Sequence, residues 1–148
     1  MSFKDWLNKG WLTAHRTSSF EISELFGIAD RDLKDCRTDG LSGDWRLNIA
    51  YNAARQLATA ALAASWYRAG REAHHYRVIQ SLVFTVGADR TLVIRFDAFR
   101  KKRNITGYDR AGAVSEQEAE EMFALAHELY GLVRTWFEAH HPELIEDL

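Results

Sequence analysis

The chain has 148 residues, of which 47% are apolar and 27% charged, proportions typical of a single globular domain. Its net charge of −2 excludes a general attraction to nucleic acid, so any such attraction must come from a local basic patch. Cys36 is the only cysteine, which excludes an internal disulfide and a thiolate metal cluster. Because the sequence shows no signal-peptide pattern and no apolar run of membrane length, we expect a cytoplasmic protein with one domain over residues 1–148.

The first part of the chain predicts two helices. Residues 2–12 place apolar side chains at the spacing of a short amphipathic helix that docks on the core. Ser18 begins a long helix, because Glu21 follows it as in a capping box, and Gly40 is suited to end it in the left-handed conformation. We expect the core of the domain over about residues 18–140.

Ser42 begins a second long helix, which we expect to end near Arg68. The middle of this helix is rich in alanine, whose small side chain lets neighbouring helices approach and whose helix propensity is the highest of all residues. The sequence thus predicts that this is the central helix of a bundle. Asn52, in its middle, is expected to form hydrogen bonds within the bundle or across an interface.

Residues 82–96 allow two interpretations. β-Branched and aromatic residues on both sides of Gly87 favour a β-hairpin. A lone hairpin is marginally stable, however, and the sequence indicates no third strand, whereas Phe96 follows Leu92 at helical spacing. We therefore predict two helices here, the second of them capped by Asp89.

The last helix has the clearest start. Ser115 and Glu118 form a capping box, and an apolar stripe at helical spacing continues to Trp136. Residues 141–148 make an acidic tail, which we expect to fray. The predicted fold class is all-α, an up-down antiparallel bundle of four to five helices.

A dense polar segment lies between the fourth and fifth predicted helices. Residues 100–110 contain five cations, one amide, one phenol and one carboxylate. Arg offers a planar donor fork and Lys a point charge, so this set suits a phosphate. The alternative is a solvated basic helix end whose cations face the helix dipole. The candidate binding residues are Arg100, Lys101, Lys102, Arg103, Asn104, Tyr108, Asp109 and Arg110.

The antiparallel order brings a histidine pair to the same end of the bundle. Short connections place the start of the third helix, with His74 and His75, beside the end of the fourth, with Arg103. Imidazole can transfer protons near neutral pH, Arg can stabilise negative charge, and Tyr108 can donate a proton or stack on a base. The alternative is that both histidines open a helix and pack under the aromatic residues before them. Neither a metal nor another cofactor is expected, because adjacent histidines splay apart on a helix.

The motif around Arg103 resembles that of the HEPN superfamily, a group of helical domains associated with nucleotide binding in higher eukaryotes and prokaryotes. The resemblance covers residues 18–140 and is strongest to small bacterial HEPN-like proteins. It implies long helices in up-down order with an alanine-rich second helix. The segments that carry it are Trp45 through Asn52-Ala53-Ala54, His74-His75-Tyr76, and Lys102-Arg103-Asn104 to Tyr108-Asp109.

Many HEPN proteins are metal-independent ribonucleases, whose signature is an Arg, often followed by Asn, with a His a few residues later. Arg103 and Asn104 match the first half, while Tyr108 stands where the His is expected. The resemblance also implies a homodimer whose two motifs face one cleft. Several members are toxins paired with a nucleotidyltransferase-type antitoxin, so such a partner is implied as well.

Three functions are open from the sequence. The first is a HEPN-like module that binds RNA or a nucleotide through the basic turn at a homodimer cleft. The second is a toxin-type, metal-independent ribonuclease in which Arg103 acts with His74, His75 or Tyr108. The third is a protein-interaction bundle whose basic turn binds an acidic partner. Dimerisation is favoured by aromatic side chains that we expect to be exposed, namely Trp6, Trp11 and Trp45.

Overall fold

The computed structural model describes residues 2–108 and 114–148, and it describes the side chains of residues 2–104 and 114–148. This part of the chain forms an all-α bundle with one two-stranded antiparallel sheet. No helix in the described ranges is both long and apolar enough to cross a membrane. The elements are α1 (Phe3–Asn8), β1 (Leu12–Ala14), α2 (Ser19–Asp35), α3 (Gly43–Ala64), β2 (Tyr67–Ala69), α4 (His74–Ser81), α5 (Arg90–Tyr108), α6 (Glu116–His140) and a 3-10 turn (Pro142–Leu144).

Serine side chains begin the long helices at the predicted positions. The hydroxyl groups of Ser18 and Ser42 each accept a hydrogen bond from a first-turn backbone N–H. Ser115 and Glu118 form the predicted reciprocal capping box, which satisfies two N–H groups that the helix itself cannot pair. The box predicted for Ser18 is wrong in its second half, because the Glu21 carboxylate accepts hydrogen bonds from neighbouring side chains instead.

The alanine-rich helix α3 is central, as predicted, and packs against α2, α4, α5 and α6. It runs antiparallel to α2, where Asn52 Nδ2 donates to Asp32 Oδ2 at 2.7 Å. Asn52 therefore forms its hydrogen bonds within the bundle, which was one of the two predicted roles. Close approach at the start of α3 depends on Gly43, since a Cβ there would lie 2.8 Å from the carbonyl oxygen of Val114.

The predicted end of the second long helix is wrong. α3 ends at Ala64, and Trp66 adopts a left-handed backbone conformation with φ 73° that turns the chain. Tyr67–Ala69 then pairs antiparallel with Leu12–Ala14, in a register that places Leu12 opposite Ala69. The pairing replaces the helical ends that the sequence predicted for both segments. Leu12 becomes one of the most buried side chains in the core.

Residues 82–96 do not form a hairpin, which confirms the choice of helix over strand, but only the second of the two predicted helices lies within them. α4 ends at Ser81, Gly87 turns the chain with φ 67°, and α5 begins at Arg90. Asp89 Oδ1 accepts a hydrogen bond from the Thr91 N–H at 3.0 Å, which is the predicted cap. The helical form wins because it buries Leu92 and Phe96 on one face against α3 and α4.

Two expectations about exposure need correction. Trp6 is only 5% exposed, because its ring packs edge-on against Trp11 and Phe84. Trp45, by contrast, is 62% exposed on α3, as expected. The C-terminal segment does not fray, since Leu144 and Ile145 are buried and its 3-10 turn contacts α2 and α6.

Candidate functional site

The structure brings the histidine pair next to the end of α5, in agreement with the antiparallel order. His74 and His75 form the first turn of α4, and Arg100 and Asn104 face them across an open depression of about 400 Å³. Ala73 precedes the helix with φ 52° and provides no side-chain cap. The first N–H groups of α4 therefore lie at the depression without a side-chain acceptor.

His75 contacts the buried phenol of Tyr51. Its Nδ1 atom lies 3.3 Å from the Tyr51 hydroxyl oxygen, and the two ring centroids are 6.0 Å apart. Burial raises the pKa of Tyr51 to about 12, so the phenol keeps its proton at neutral pH. The Arg103 guanidinium carbon lies 5.2 Å from the centroid of the same phenol ring. Tyr51 thus joins His75 and Arg103, the two groups whose convergence the topology predicts.

His75 is a neutral imidazole over a wide pH range. Burial lowers its pKa from 6.5 to about 4, and the nearby positive charges of Arg55 and Arg103 act in the same direction. A neutral imidazole carries one N–H donor and one free nitrogen acceptor. His75 can therefore bind an anion through its N–H, or accept a proton, without first losing one to solvent.

Arg55 adds a cation that the sequence analysis did not assign to this site. The side chain is half-buried, and its Nη2 atom donates to Asn52 Oδ1 at 2.9 Å. No salt bridge to Arg55 exists within the described residues, and the positive charge of Arg103 acts on its pKa. Burial lowers the pKa of Arg55, and Arg103 lowers it further. A half-buried guanidinium beside a second one is costly unless an anion compensates it.

His74 is held in one tautomer by the backbone. Its Nδ1 atom lies 3.1 Å from the carbonyl oxygen of Gly70, and only an N–H can donate to that oxygen. In the neutral imidazole the Nε2 atom is then unprotonated. His74 borders the open depression with this second nitrogen available as a base or an acceptor.

Both lysines of the basic segment form ion pairs, and Arg100 shares the partner of Lys101. Lys101 Nζ lies 3.7 Å from Asp97, whose carboxylate also accepts from Arg100 Nε at 2.7 Å. Lys102 Nζ lies 3.3 Å from Glu118 of α6, so the structure places it on a different face of α5 from the histidines. Surface pairs of this kind contribute little to stability.

Three candidate residues cannot be placed by side chain. Tyr108 is the last residue of α5, and its side chain lies outside the described part of the chain. Asp109 and Arg110 lie outside the described residues altogether. The predicted roles of these three residues stay predictions.

The sequence analysis missed two members of the site, Tyr51 and Arg55. They are one helical turn apart and so lie on one face of α3, which is otherwise rich in alanine. Two large polar side chains one turn apart are unusual in a helix of small residues, and this pattern could have indicated the site. We call the assembled group the histidine–arginine cluster, which consists of Tyr51, Arg55, His74, His75, Arg100 and Arg103.

The chain matches no protein-family model, and no significantly similar curated protein or solved structure is found. Among the described residues, no group of three or more His, Cys, Asp or Glu side chains is arranged to hold a metal ion. The function of the histidine–arginine cluster therefore has to be inferred from its own geometry and chemistry.

Proposed function

We propose that the histidine–arginine cluster binds the phosphate groups of RNA or of a nucleotide, as in a HEPN-like binding module. The observation that carries this proposal is Arg55, a half-buried guanidinium without a salt bridge in the described chain and next to Arg103. A guanidinium held partly out of water beside another cation favours an anionic ligand that neutralises it. A phosphate supplies that charge together with several acceptor oxygens.

The other groups of the cluster suit the same ligand. Arginine donates pairs of hydrogen bonds to phosphate oxygens, and neutral His75 adds one donor. The uncapped N-terminus of α4 points backbone N–H groups and a partial positive charge at the depression. Tyr76 lines the depression, and its ring centroid lies 5.6 Å from the Arg100 guanidinium carbon, so this side offers a flat surface for a nucleobase.

The proposal includes a homodimer, because the HEPN resemblance implies that two copies of the motif face one cleft. Trp45 supports it as an exposed indole on α3, the helix that also carries Tyr51 and Arg55. Large exposed apolar side chains are common at contacts between protein chains. A longer RNA would then contact both copies of the cluster.

The binding proposal can be tested with fluorescently labelled single-stranded RNA followed by anisotropy. We expect Arg103→Gln to weaken binding about tenfold, the loss typical of a charged hydrogen bond to phosphate. Arg95→Gln is the matched control, because Arg95 is an exposed cation of α5 that does not line the depression. If the three arginines of the cluster each contact a phosphate, a plot of log affinity against log salt has a slope of about −2.

Two results contradict the binding proposal. One is the absence of salt-sensitive binding to RNA or nucleotides, which would favour the protein-interaction bundle instead. The other is an equal loss of affinity in Arg95→Gln and Arg103→Gln, which would indicate diffuse attraction rather than a site. Thermal unfolding of each variant, followed by circular dichroism, verifies that the fold is retained.

A second function, metal-independent RNA cleavage, is favoured by the free Nε2 nitrogen of His74 beside the arginines. In this reaction a base removes the proton of a 2′-hydroxyl, the 2′-oxygen attacks phosphorus, and the 5′-oxygen leaves with a proton from an acid. The products are a 2′,3′-cyclic phosphate and a 5′-hydroxyl. His74 or His75 would transfer protons, while Arg103 would stabilise the charge on the phosphorane.

Cleavage is separated from binding by incubating purified protein with RNA in EDTA. Cleavage that disappears in Arg103→Ala and in His74→Ala, with RNA binding retained in the latter, supports the enzyme. RNA that stays intact at high protein concentration rules out this second function and leaves the binding proposal unaffected.

A further inference from the structure

A second cavity lies behind the histidine–arginine cluster, on the side of α3 that faces α2. Its volume is about 210 Å³, well above the roughly 30 Å³ that one water molecule occupies in the liquid. Its surface is more apolar than polar, and polar and apolar side chains both line it. The apolar lining includes Leu25, Leu62, Ala63 and Val78.

The two ends of this cavity differ in charge. Arg55 and His74 line it as well as belonging to the cluster, and the Arg55 guanidinium makes that end cationic. The other end carries Glu21 with the exposed Arg68 near it, and Glu21 Oε1 accepts from Thr17 Oγ1 at 2.6 Å and lies 2.8 Å from His15 Nε2. These hydrogen bonds lower the pKa of Glu21 although burial opposes them, so the carboxylate is charged at neutral pH.

The distance between the ends follows from helix register. Asp32 of α2 contacts Asn52 of α3, and the two helices are antiparallel. Glu21 lies about three turns from this contact, while Arg55 lies about one turn from it in the same direction. The cationic and anionic ends are therefore about two turns apart, roughly 11 Å along the helices.

We propose that this cavity binds a small aliphatic monocarboxylate, with its carboxylate on Arg55 and its hydrocarbon chain along Leu25 and Leu62. The guanidinium fork matches the two oxygens of a carboxylate, and Arg55 has no salt bridge within the described residues. The apolar walls between the ends match a hydrocarbon body. A second carboxylate at the far end would meet the charged Glu21, which already occupies the donors Thr17 and His15, so a monocarboxylate is the better ligand than a dicarboxylate.

The carboxylate site shares Arg55 with the histidine–arginine cluster, so a ligand bound in the cavity also affects the cluster. A bound carboxylate neutralises Arg55, one of the charges that lower the pKa of His75, and should raise that pKa. It should also weaken phosphate binding at the cluster. This last consequence rests on the proposed function, whereas carboxylate binding itself does not.

The test uses the intact chain without RNA and measures binding of acetate, butanoate, hexanoate and octanoate by calorimetry. We expect affinity to rise about fourfold per added methylene until the cavity is full. Adipate, with a carboxylate at each end, should bind at least tenfold more weakly than hexanoate. Equal affinities for acetate and hexanoate, or tighter binding of adipate, overturn the inference.

Variants of the lining residues test whether the ligand carboxylate binds Arg55. Arg55→Gln should reduce hexanoate affinity at least tenfold, whereas Arg68→Gln, which removes an exposed cation of the same cavity rim, should not. Leu25→Ala alters a half-buried wall and should shift the best ligand to a longer chain, which gives a readout even if Arg55→Gln unfolds. A loss confined to Arg68→Gln, or an unchanged preference in Leu25→Ala, contradicts the proposed placement.

The two proposals fail in different experiments. Carboxylate binding without any RNA binding would contradict only the proposed function. RNA binding together with no chain-length preference among carboxylates would contradict only the inference about the cavity. An NMR titration of His75 with and without hexanoate adds a direct readout, since its pKa should rise when Arg55 is neutralised.

Discussion

Removal of His75 should change how the stability of the protein depends on pH. Burial and the neighbouring arginines lower the pKa of His75 from 6.5 to about 4 in the folded chain. Between these two values the unfolded chain binds a proton that the folded chain does not bind. Stability from this group is therefore fully present above about pH 6.5 and is lost as pH falls toward 4.

The size of the effect follows from the two pKa values. Between pH 7.5 and pH 5, proton linkage at a site that shifts from 6.5 to about 4 removes at most about 2 kcal/mol of folding free energy. His75 is only half-buried, and solvent screens part of its interaction with the arginines. We therefore expect His75 to contribute about 1 kcal/mol to the loss of stability over this range.

Urea unfolding followed by tryptophan fluorescence at pH 7.5 and pH 5.0 measures this contribution. His75→Gln keeps a polar side chain near Tyr51 but removes the titrating ring. The stability that this variant loses between pH 7.5 and pH 5.0 should therefore be about 1 kcal/mol smaller than the stability that the parent loses. His127→Gln, which replaces an exposed histidine of α6, is the matched control. An identical pH dependence in the parent and in His75→Gln would refute the environment described for His75.

Other predictions concern backbone conformation and assembly. Gly43→Ala should destabilise the fold by about 2 kcal/mol or more, because its Cβ would meet the Val114 carbonyl oxygen at 2.8 Å. Gly27→Ala, in α2 with open space around the new Cβ, should instead stabilise it by about 0.5–1 kcal/mol in the same urea assay. Trp66→Gly should stabilise the fold by about 1 kcal/mol, because glycine adopts the left-handed conformation of this half-exposed residue without strain. Light scattering at micromolar concentration should give a dimer that Trp45→Glu dissociates, and a monomeric parent would contradict this.

The helices were predictable where local signals were strong. The capping box at Ser115 and the apolar stripe after it define α6 without any tertiary information. The choice of helices for residues 82–96 required more than local propensity, which favoured strands; the absence of a third strand and the helical spacing of Leu92 and Phe96 opposed them. Asp89 then marked the start of α5 correctly.

The small sheet could not be predicted, because its strands have three residues each and pair across more than fifty positions of the chain. Its formation depends on the left-handed turn at Trp66, a residue type that gives no sign of such a conformation. The same long-range pairing ends α3 early. The buried positions of Trp6 and Leu144 likewise depend on partners distant in sequence, so both were expected to be more exposed.

The candidate site was partly predictable from topology. Antiparallel order was enough to bring His74 and His75 to Arg100 and Asn104 at one end of the bundle. It was not enough to show that Tyr51 lies between His75 and Arg103, because that contact depends on the rotation of α3 about its own axis. Arg55 was missed for the same reason, although it now carries the proposed function.

The proposal of an anion site at the histidine–arginine cluster is tested most directly by NMR, with uridine monophosphate added to protein labelled at arginine and histidine. The proposal predicts that the side-chain signals of Arg55 and Arg103 and the ring signals of His75 shift together with one dissociation constant. Arg95 on the other side of α5 should not shift. The proposal would be contradicted if millimolar ligand left the signals of these three side chains unchanged, or if only the signals of Arg95 shifted.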